Sequence, residues 1–307
     1  MDKKGIVLKV AGKHYTILTE DNKIVTCTLS GKLRLKDFQN TNPIVVGDYV
    51  GYEVNSDNTG VINHLFDRKN YLIRKSVKLS NPYQIIAANI DYVYIIFTLI
   101  DPIGKLEFLD RILVTCEAYR LQARIILNKI DLYDKIKDSI IEFEEIYKKA
   151  GYKVIKTSIY MPETIEYLKE LLKDKINLLV GFSGVGKSSL IKTLIPNINI
   201  KILEISRYHR QGQHATTFSE MYLLPFGGFI IDTPGIRSFG FYDIKKNELF
   251  HFFPEILKAA KNCKYHNCTH TTEPDCAVIK AVENNEISPF RFRNYLSMYY
   301  DEEKKYR

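Results

Sequence analysis

The chain of 307 residues contains no tryptophan, four methionines and five cysteines. Five unevenly spaced cysteines cannot knit a disulfide scaffold, so its stability has to come from apolar cores. Long apolar runs are missing as well. The longest, Tyr92 to Ile100, is interrupted by Thr98 and falls far short of the roughly 20 residues that a helical bilayer crossing needs. The opening MDKKGIVLKV carries charges followed by strand-like alternation, in place of the apolar stretch of a secretion signal. These absences lead to the expectation of a soluble cytoplasmic protein without a membrane partner. Internal repeats and long low-complexity segments are absent too, which excludes solenoids and fibrous folds.

What is present is ordinary for a globular protein: 45% apolar and 26% charged residues, in a chain long enough for two or three domains. The formal charge of +8 and pI near 9.0 fit a polyanionic partner, and equally a surface with surplus lysine.

Residues 1–68 read as all-β. GIVLKV, HYTILT, KIVTCTL and DYVGYEV are short runs rich in Val, Ile, Tyr and Thr, separated by AGK, EDN and SDNTG, which are turn chemistry. So many strands in so few residues close on themselves, as a small barrel of the oligonucleotide-binding type or as a sandwich-like domain. Residues 69–86, with Arg74, Lys75, Lys78 and an Asn-Pro, read as a linker.

From residue 87 to about 240 strands and helices alternate. DYVYIIFTL, ARIILNKID, YKVIKTS and INLLV are the strands. Leu106, Leu109, Leu113 and Cys116 stripe one helix and Ile136, Ile140, Phe143 and Tyr147 a second, while Pro162 opens a third. This alternation predicts a parallel sheet with ligand loops at its C-terminal edge. Residues 241–307 read as a mostly helical, aromatic-rich tail.

GFSGVGKS, Gly181 to Ser188, fits the phosphate-loop pattern and lies between a strand and a helix, the context that gives the pattern its meaning. Gly181, Phe182, Ser183, Gly184, Val185 and Gly186 would turn backbone N–H groups towards phosphate oxygens. Lys187 would reach the outer phosphates, the Ser188 hydroxyl would take Mg²⁺, and Ser189 belongs to the same phosphate and Mg²⁺ site. Asp232 in DTPG is placed to anchor Mg²⁺, and the N–H of Gly235 to meet the γ-phosphate. NKID at 128–131 supplies base specificity. Asp131 can accept from guanine N1–H and its exocyclic amine, a donor pair adenine lacks. Asn128 would take the opposite edge, the stem of Lys129 would lie over the ring, and Ser158 stands at the same sheet edge. In most GTP-binding proteins the base reader follows the phosphate loop. Here it precedes it, the arrangement produced by circular permutation with a join at LKDKI, residues 172–176.

Cys263, Cys268 and Cys276, with His270 or the rival His266, offer soft S₃N ligation suited to one structural Zn²⁺. The polar sequence around them could not build a core without such a staple. PFRFRNYLSMYY interleaves Arg291 and Arg293 with aromatics, as an RNA-stacking surface would or as an amphipathic helix would.

These motifs together, with NPYQIIAANID, LEFLDRILV and GQHATT, resemble the circularly permuted GTPases of late small-subunit maturation, the RsgA (YjeQ) family, over essentially the whole length. The resemblance implies an N-terminal OB-fold barrel, a central α/β permuted P-loop GTPase domain and a C-terminal zinc-binding domain. It further implies GTP hydrolysis to GDP and phosphate on the immature small (30S) ribosomal subunit and its rRNA. It favours His270 as the fourth zinc ligand. In the family's switch stretch, usually Gly-x-His-Thr-Thr, this chain has Ala215 at the first Thr, so Thr216 is carried over as the Mg²⁺-sensing residue, with Thr217 as the alternative. Ile236 stands where many GTPases place a water-orienting Gln. His214, in the switch stretch, then either orients the attacking water or contacts phosphate. A monomer is expected. A guanine-nucleotide-gated RNA-binding module with incidental turnover is the competing reading.

Overall fold

The computed structural model describes residues 3–34, 43–75, 83–196, 219–233 and 244–300. The alternating N-terminal runs form β1 (Lys3–Ala11), β2 (His14–Thr19), β3 (Ile24–Leu29), β4 (Tyr49–Val54) and β5 (Gly60–Leu65), with a single helical turn, α1 (Gly31–Arg34), after β3. Neighbours pair antiparallel except β3 with β5, and the pairing of β1 with β4 closes the barrel. Closure removes the unpaired edges that a short open sheet would expose. Every second residue points inward, and Val7, Ile17, Cys27, Val50 and Ile62 are fully buried. At the β3–β5 contact the backbones approach so closely that a Cβ on Gly60 would meet Cys27 Sγ at 2.5 Å.

The stretch expected to be an irregular linker contains two paired strands, β6 (Tyr71–Lys75) and β7 (Tyr83–Ala88). Ile73, Ile85 and Ala88 bury there with Val45. Its basic residues and its Asn-Pro hid an alternation that a small local core was sufficient to realise. Asp48, buried beneath this ribbon, accepts from Nε and Nη2 of Arg68, both at 2.7 Å.

The central sheet runs β10 (Lys153–Thr157), β9 (Gln122–Asn128), β8 (Tyr92–Phe97), β11 (Ile176–Gly181), β13 (Phe229–Asp232) and β12 (Glu220–Leu223). All neighbours are parallel except β12 with β13. Helices α2 (Leu106–Ala118) and α3 (Lys137–Lys149) cover one face, where Leu109, Leu113 and Phe143 bury with Val93, Ile95 and Ile125. Helices α4 (Pro162–Leu172) and α5 (Lys187–Leu194) cover the other, where Ile165, Leu168 and Leu190 bury with Tyr94, Ile96 and Ile126. Strands covered on both faces are apolar throughout, which is why these runs show no alternation in sequence. The barrel meets this sheet where β1 pairs with β12 at Lys9 and Glu220, whose side chains form an ion pair at 3.1 Å.

The expected permutation join is a tight turn between α4 and β11. Asn177, fully buried, donates from Nδ2 to the carbonyls of Leu172, Lys175 and Phe229 at 2.8, 3.0 and 3.1 Å. Opposite lies the Gly227–Gly228 turn, with φ of +94° and +85°, where a Cβ on Gly228 would meet Lys175 N at 2.7 Å.

The tail holds a 3₁₀ segment (Lys246–Phe252) and helices α6 (Pro254–Ala260), α7 (Ala277–Glu283) and α8 (Pro289–Tyr300). Their core of Leu249, Phe253, Ile256, Val278 and Tyr295 includes Val114 of α2, so the tail is packed on the central domain. Arg291 lies in this contact at 1% exposure. It donates to Asp110 at 2.6 Å and to both oxygens of Glu255 at 2.7 and 3.1 Å. Asn294 and Tyr147 also donate to Asp110, at 2.5 and 3.0 Å. Arg291 is therefore an internal clamp and not an RNA contact, whereas Arg293 is exposed. Replacing Arg291 by Ala leaves two carboxylates buried without a counter-ion, so a destabilisation of about 3–5 kcal/mol is expected in urea unfolding followed by circular dichroism.

Candidate functional site

The C-terminal ends of β8, β9, β10, β11 and β13 share one edge of the sheet, and the motif residues collect there. β11 passes into a turn with Gly184 and Gly186 at φ of +91° and +94°, values open to glycine without the Cβ penalty other residues carry. The turn delivers its backbone N–H groups to the start of α5, whose dipole adds a partial positive charge. A Cβ on Gly186 would run into Asn128 Nδ2, so this glycine is required by the NKID loop as well as by the turn.

Asn128 is the hub. It is 3% exposed and ends β9. Its Nδ2 donates to the carbonyl of Val185 in the phosphate loop at 2.8 Å. Its Oδ1 accepts from the Thr157 hydroxyl at the end of β10 at 2.9 Å. Lys129 then takes a left-handed φ of +64° and its ammonium donates to the carbonyl of Asp101. Asp131 accepts from the Ser158 hydroxyl, which orients the carboxylate. Asp232, in register with Leu179 of β11, forms an ion pair with Lys187. The phosphate-loop cation and the candidate Mg²⁺ anchor thus face one another. Ser183, Ser188 and Ser189 lie on this loop and the helix it opens. His214, Thr216, Thr217, Gly235 and Ile236 lie outside the described residues.

Two supports escaped the sequence reading. The loop after β8 reaches the phosphate loop: a Cβ on Gly184 would touch Pro102 at 3.2 Å. Phe108 of α2 packs on Phe182, with ring centroids 3.7 Å apart. IDPIG has no periodicity that betrays such a contact, and Phe108 resembles any other apolar helix residue.

In the tail, Cys263, Cys268, His270 and Cys276 bring one ligand atom each to within 4.8 Å of one another. His266 is exposed and stands apart. Sγ of Cys276 lies 3.9 Å from that of Cys263 and 3.7 Å from that of Cys268, and the Nδ1 of His270 lies 3.6 and 3.5 Å from Cys263 and Cys276. Zn–S bonds of about 2.3 Å in tetrahedral geometry separate sulfurs by about 3.75 Å, so these four separations match that ion, while the widest in the cluster, up to 4.8 Å, would have to close on it. Nδ1 is the nitrogen aimed at the thiols, while Nε2 is buried without a hydrogen-bond partner among the described residues. Burial pushes the Cys268 thiol up to about 12 and holds the imidazole of His270 below its usual range. The imidazole is therefore a neutral donor, and a dication entering the cluster would displace thiol protons. Glu273 braces the knuckle by accepting from Thr269 N and Oγ1, both at 2.6 Å, and from Thr271 N at 2.9 Å. Burial opposes its ionisation, but these hydrogen bonds prevail and hold the carboxyl at about 2.

Among the described residues no helix is long and apolar enough to cross a membrane.

Comparison with known proteins returns the same architecture. The family model "RsgA GTPase" matches residues 65–242 and "RsgA N-terminal domain" matches residues 4–62. The chain is 46% identical to the small ribosomal subunit biogenesis GTPase RsgA of Bacteroides fragilis, covering 99% of both chains. It is 42% identical to that of Flavobacterium psychrophilum, covering 99% of this chain and 94% of the relative. Among solved structures it superposes on YjeQ from Thermotoga maritima with a TM-score of 0.81 and 34% identity, over 98% of each chain. For YloQ, described as a circularly permuted GTPase, the TM-score is 0.76 at 29% identity over 97% and 94% of the two chains. With barrel, permuted sheet and Cys₃His cluster in one chain and relatives that match it end to end, this protein belongs to the RsgA GTPase family.

Proposed function

We propose that this protein hydrolyses GTP to GDP and phosphate on the immature small (30S) ribosomal subunit, in the late maturation of that particle in the cytoplasm. The observation that carries the nucleotide half of this reading is the bond from Asn128 to Val185. It ties the base-reading loop to the phosphate loop, so one nucleotide meets both at once. The ribosomal half rests on the names of the full-length relatives and on the basic balance of the chain, +8 overall, which suits an rRNA partner.

In this reading Asp131 accepts from the guanine N1–H and amine, Ser158 holds that carboxylate, and Asn128 and the stem of Lys129 complete the base pocket. Backbone N–H groups of residues 181–186 and the ammonium of Lys187 neutralise charge that develops on the phosphates. Lys187 must exchange its bond with Asp232 for the nucleotide, which frees the carboxylate to orient the metal shell. Ser188, Thr216 and Asp232 are the residues that would hold Mg²⁺, which supplies charge neutralisation on the transferring phosphoryl group; Gly235 offers its N–H to the γ-phosphate. His214 orients the attacking water, because Ile236 cannot. The Cys₃His cluster takes one structural Zn²⁺. GTP favours the subunit-bound arrangement and hydrolysis favours release, through the segment that joins DTPG to the tail.

Turnover of GTP should rise strongly with purified small subunits and stay basal with large subunits. No stimulation, with nucleotide-dependent subunit binding retained, would leave the nucleotide-gated binding module as the function. His214→Ala should lower the stimulated rate by about 10²-fold while GTP affinity, measured by fluorescent-nucleotide titration, stays within a factor of about two. Elemental analysis should find one zinc per chain, and Cys276→Ser should lose it together with the fold of the tail, seen as new proteolytic cleavage between residues 244 and 300.

A further inference from the structure

We propose that Tyr133 is a positioning residue for base recognition, acting through the backbone of the NKID loop; the proposal rests on the guanine reading above. β8 and β9 pair in register up to Phe97 and Leu127 and then part, as parallel strands do where their loops open around a ligand. Just beyond the last rung, two residues on from Phe97 and one from Leu127, the Tyr133 hydroxyl bridges the gap. It accepts from the N–H of Leu99 at 2.8 Å and donates to the carbonyl of Asn128 at 2.7 Å. The residue is 1% exposed and belongs to the main core, so water does not compete for either bond. A 3₁₀ turn from Ile130 to Leu132 returns the chain from Asn128 to this ring, with the N–H of Tyr133 donating to Ile130 at 3.1 Å.

The consequence is a loop fixed at both ends. The Asn128 side chain is held by Val185 and Thr157, and its carbonyl is held by Tyr133. Lys129 and Asp131 project from the intervening backbone. Both partners of the Tyr133 hydroxyl are backbone groups, so no motif marks the residue. The hydroxyl stays protonated through the physiological range, because burial and the nearby Asp131 carboxylate push it up to about 12. Its donor and acceptor roles are therefore constant.

The test is the ratio of GTP to inosine triphosphate affinity, measured by equilibrium titration on wild type, Tyr133→Phe and Tyr147→Phe. Inosine lacks only the exocyclic amine, so the ratio isolates the bond to Asp131 and is insensitive to the fraction of folded protein. A hydrogen bond to a charged acceptor is worth about ten- to a hundredfold in wild type. In Tyr133→Phe the ratio should collapse to about threefold or less. In Tyr147→Phe, which loses a buried bond to Asp110, the melting temperature should fall and the ratio stay at the wild-type value. A Tyr133→Phe ratio within about twofold of wild type overturns the proposal. A wild-type chain that binds the two nucleotides alike overturns the guanine reading itself, which is a separate result. Should Tyr133→Phe not fold, hydrogen exchange on the wild-type protein decides: the Leu99 amide must be protected to the level of the β8 amides, and fast exchange there removes the bridge and the proposal with it.

Discussion

A parallel sheet brings all its C-terminal strand ends to one edge whatever order the chain visits them, and the nucleotide site depends on that constraint. β9 delivers the NKID loop, β11 the phosphate loop, β13 the aspartate and β10 the residues that brace the others. The carboxamide of Asn128 turns this shared edge into a site by bonding two neighbouring loops at once. Permutation leaves such a site intact because each loop still leaves its own strand. What it demands is a join on the opposite edge that costs little. The buried amide of Asn177 supplies three hydrogen bonds to the turn and its neighbours there, and the paired glycines at 227 and 228 allow the two turns to approach.

The second organising element is α2. Near its start Phe108 packs on Phe182 of the phosphate loop. Two residues on, Asp110 receives Arg291, Asn294 and Tyr147, and one turn further Val114 enters the core of the tail. A single helix thus touches the phosphate loop with one residue and the tail, through α8 and its core, with others. The contact between tail and central domain is ionic and buried, with Glu255 completing the pair. Such a contact specifies one geometry, since any displacement leaves a charge without a partner in a medium of low dielectric.

The Cys₃His segment shows the same economy on a smaller scale. Its loop is polar and short, and two devices hold it open to a metal. Glu273 gathers the amides of the knuckle, and Tyr295 of α8 donates to the carbonyl of Thr269 at 2.6 Å. The ligands are therefore placed by hydrogen bonds around them as well as by their spacing in the chain.

The sequence by itself determined the β-rich start, the strand–helix alternation of the central region, the phosphate-loop pattern, NKID, DTPG and the cysteine spacing, because each is written in local turn chemistry, periodicity or ligand type. It placed NKID and the phosphate loop at one sheet edge because strand–helix alternation admits little else. The tertiary structure alone decided the rest. It set His270, which the family resemblance already favoured, beside the thiols and left His266 exposed, since burial there is a property of the folded knuckle. It settled Arg291, left open between an RNA surface and an amphipathic helix, as a buried clamp, because an arginine among aromatics has the same spacing in both and only the carboxylates of Asp110 and Glu255, distant in sequence, distinguish them. It paired β6 with β7 inside an expected linker. It also set Pro102, Phe108 and Tyr133 behind the nucleotide loops, where their work is done by contacts between segments that carry no signal until the chain brings them together.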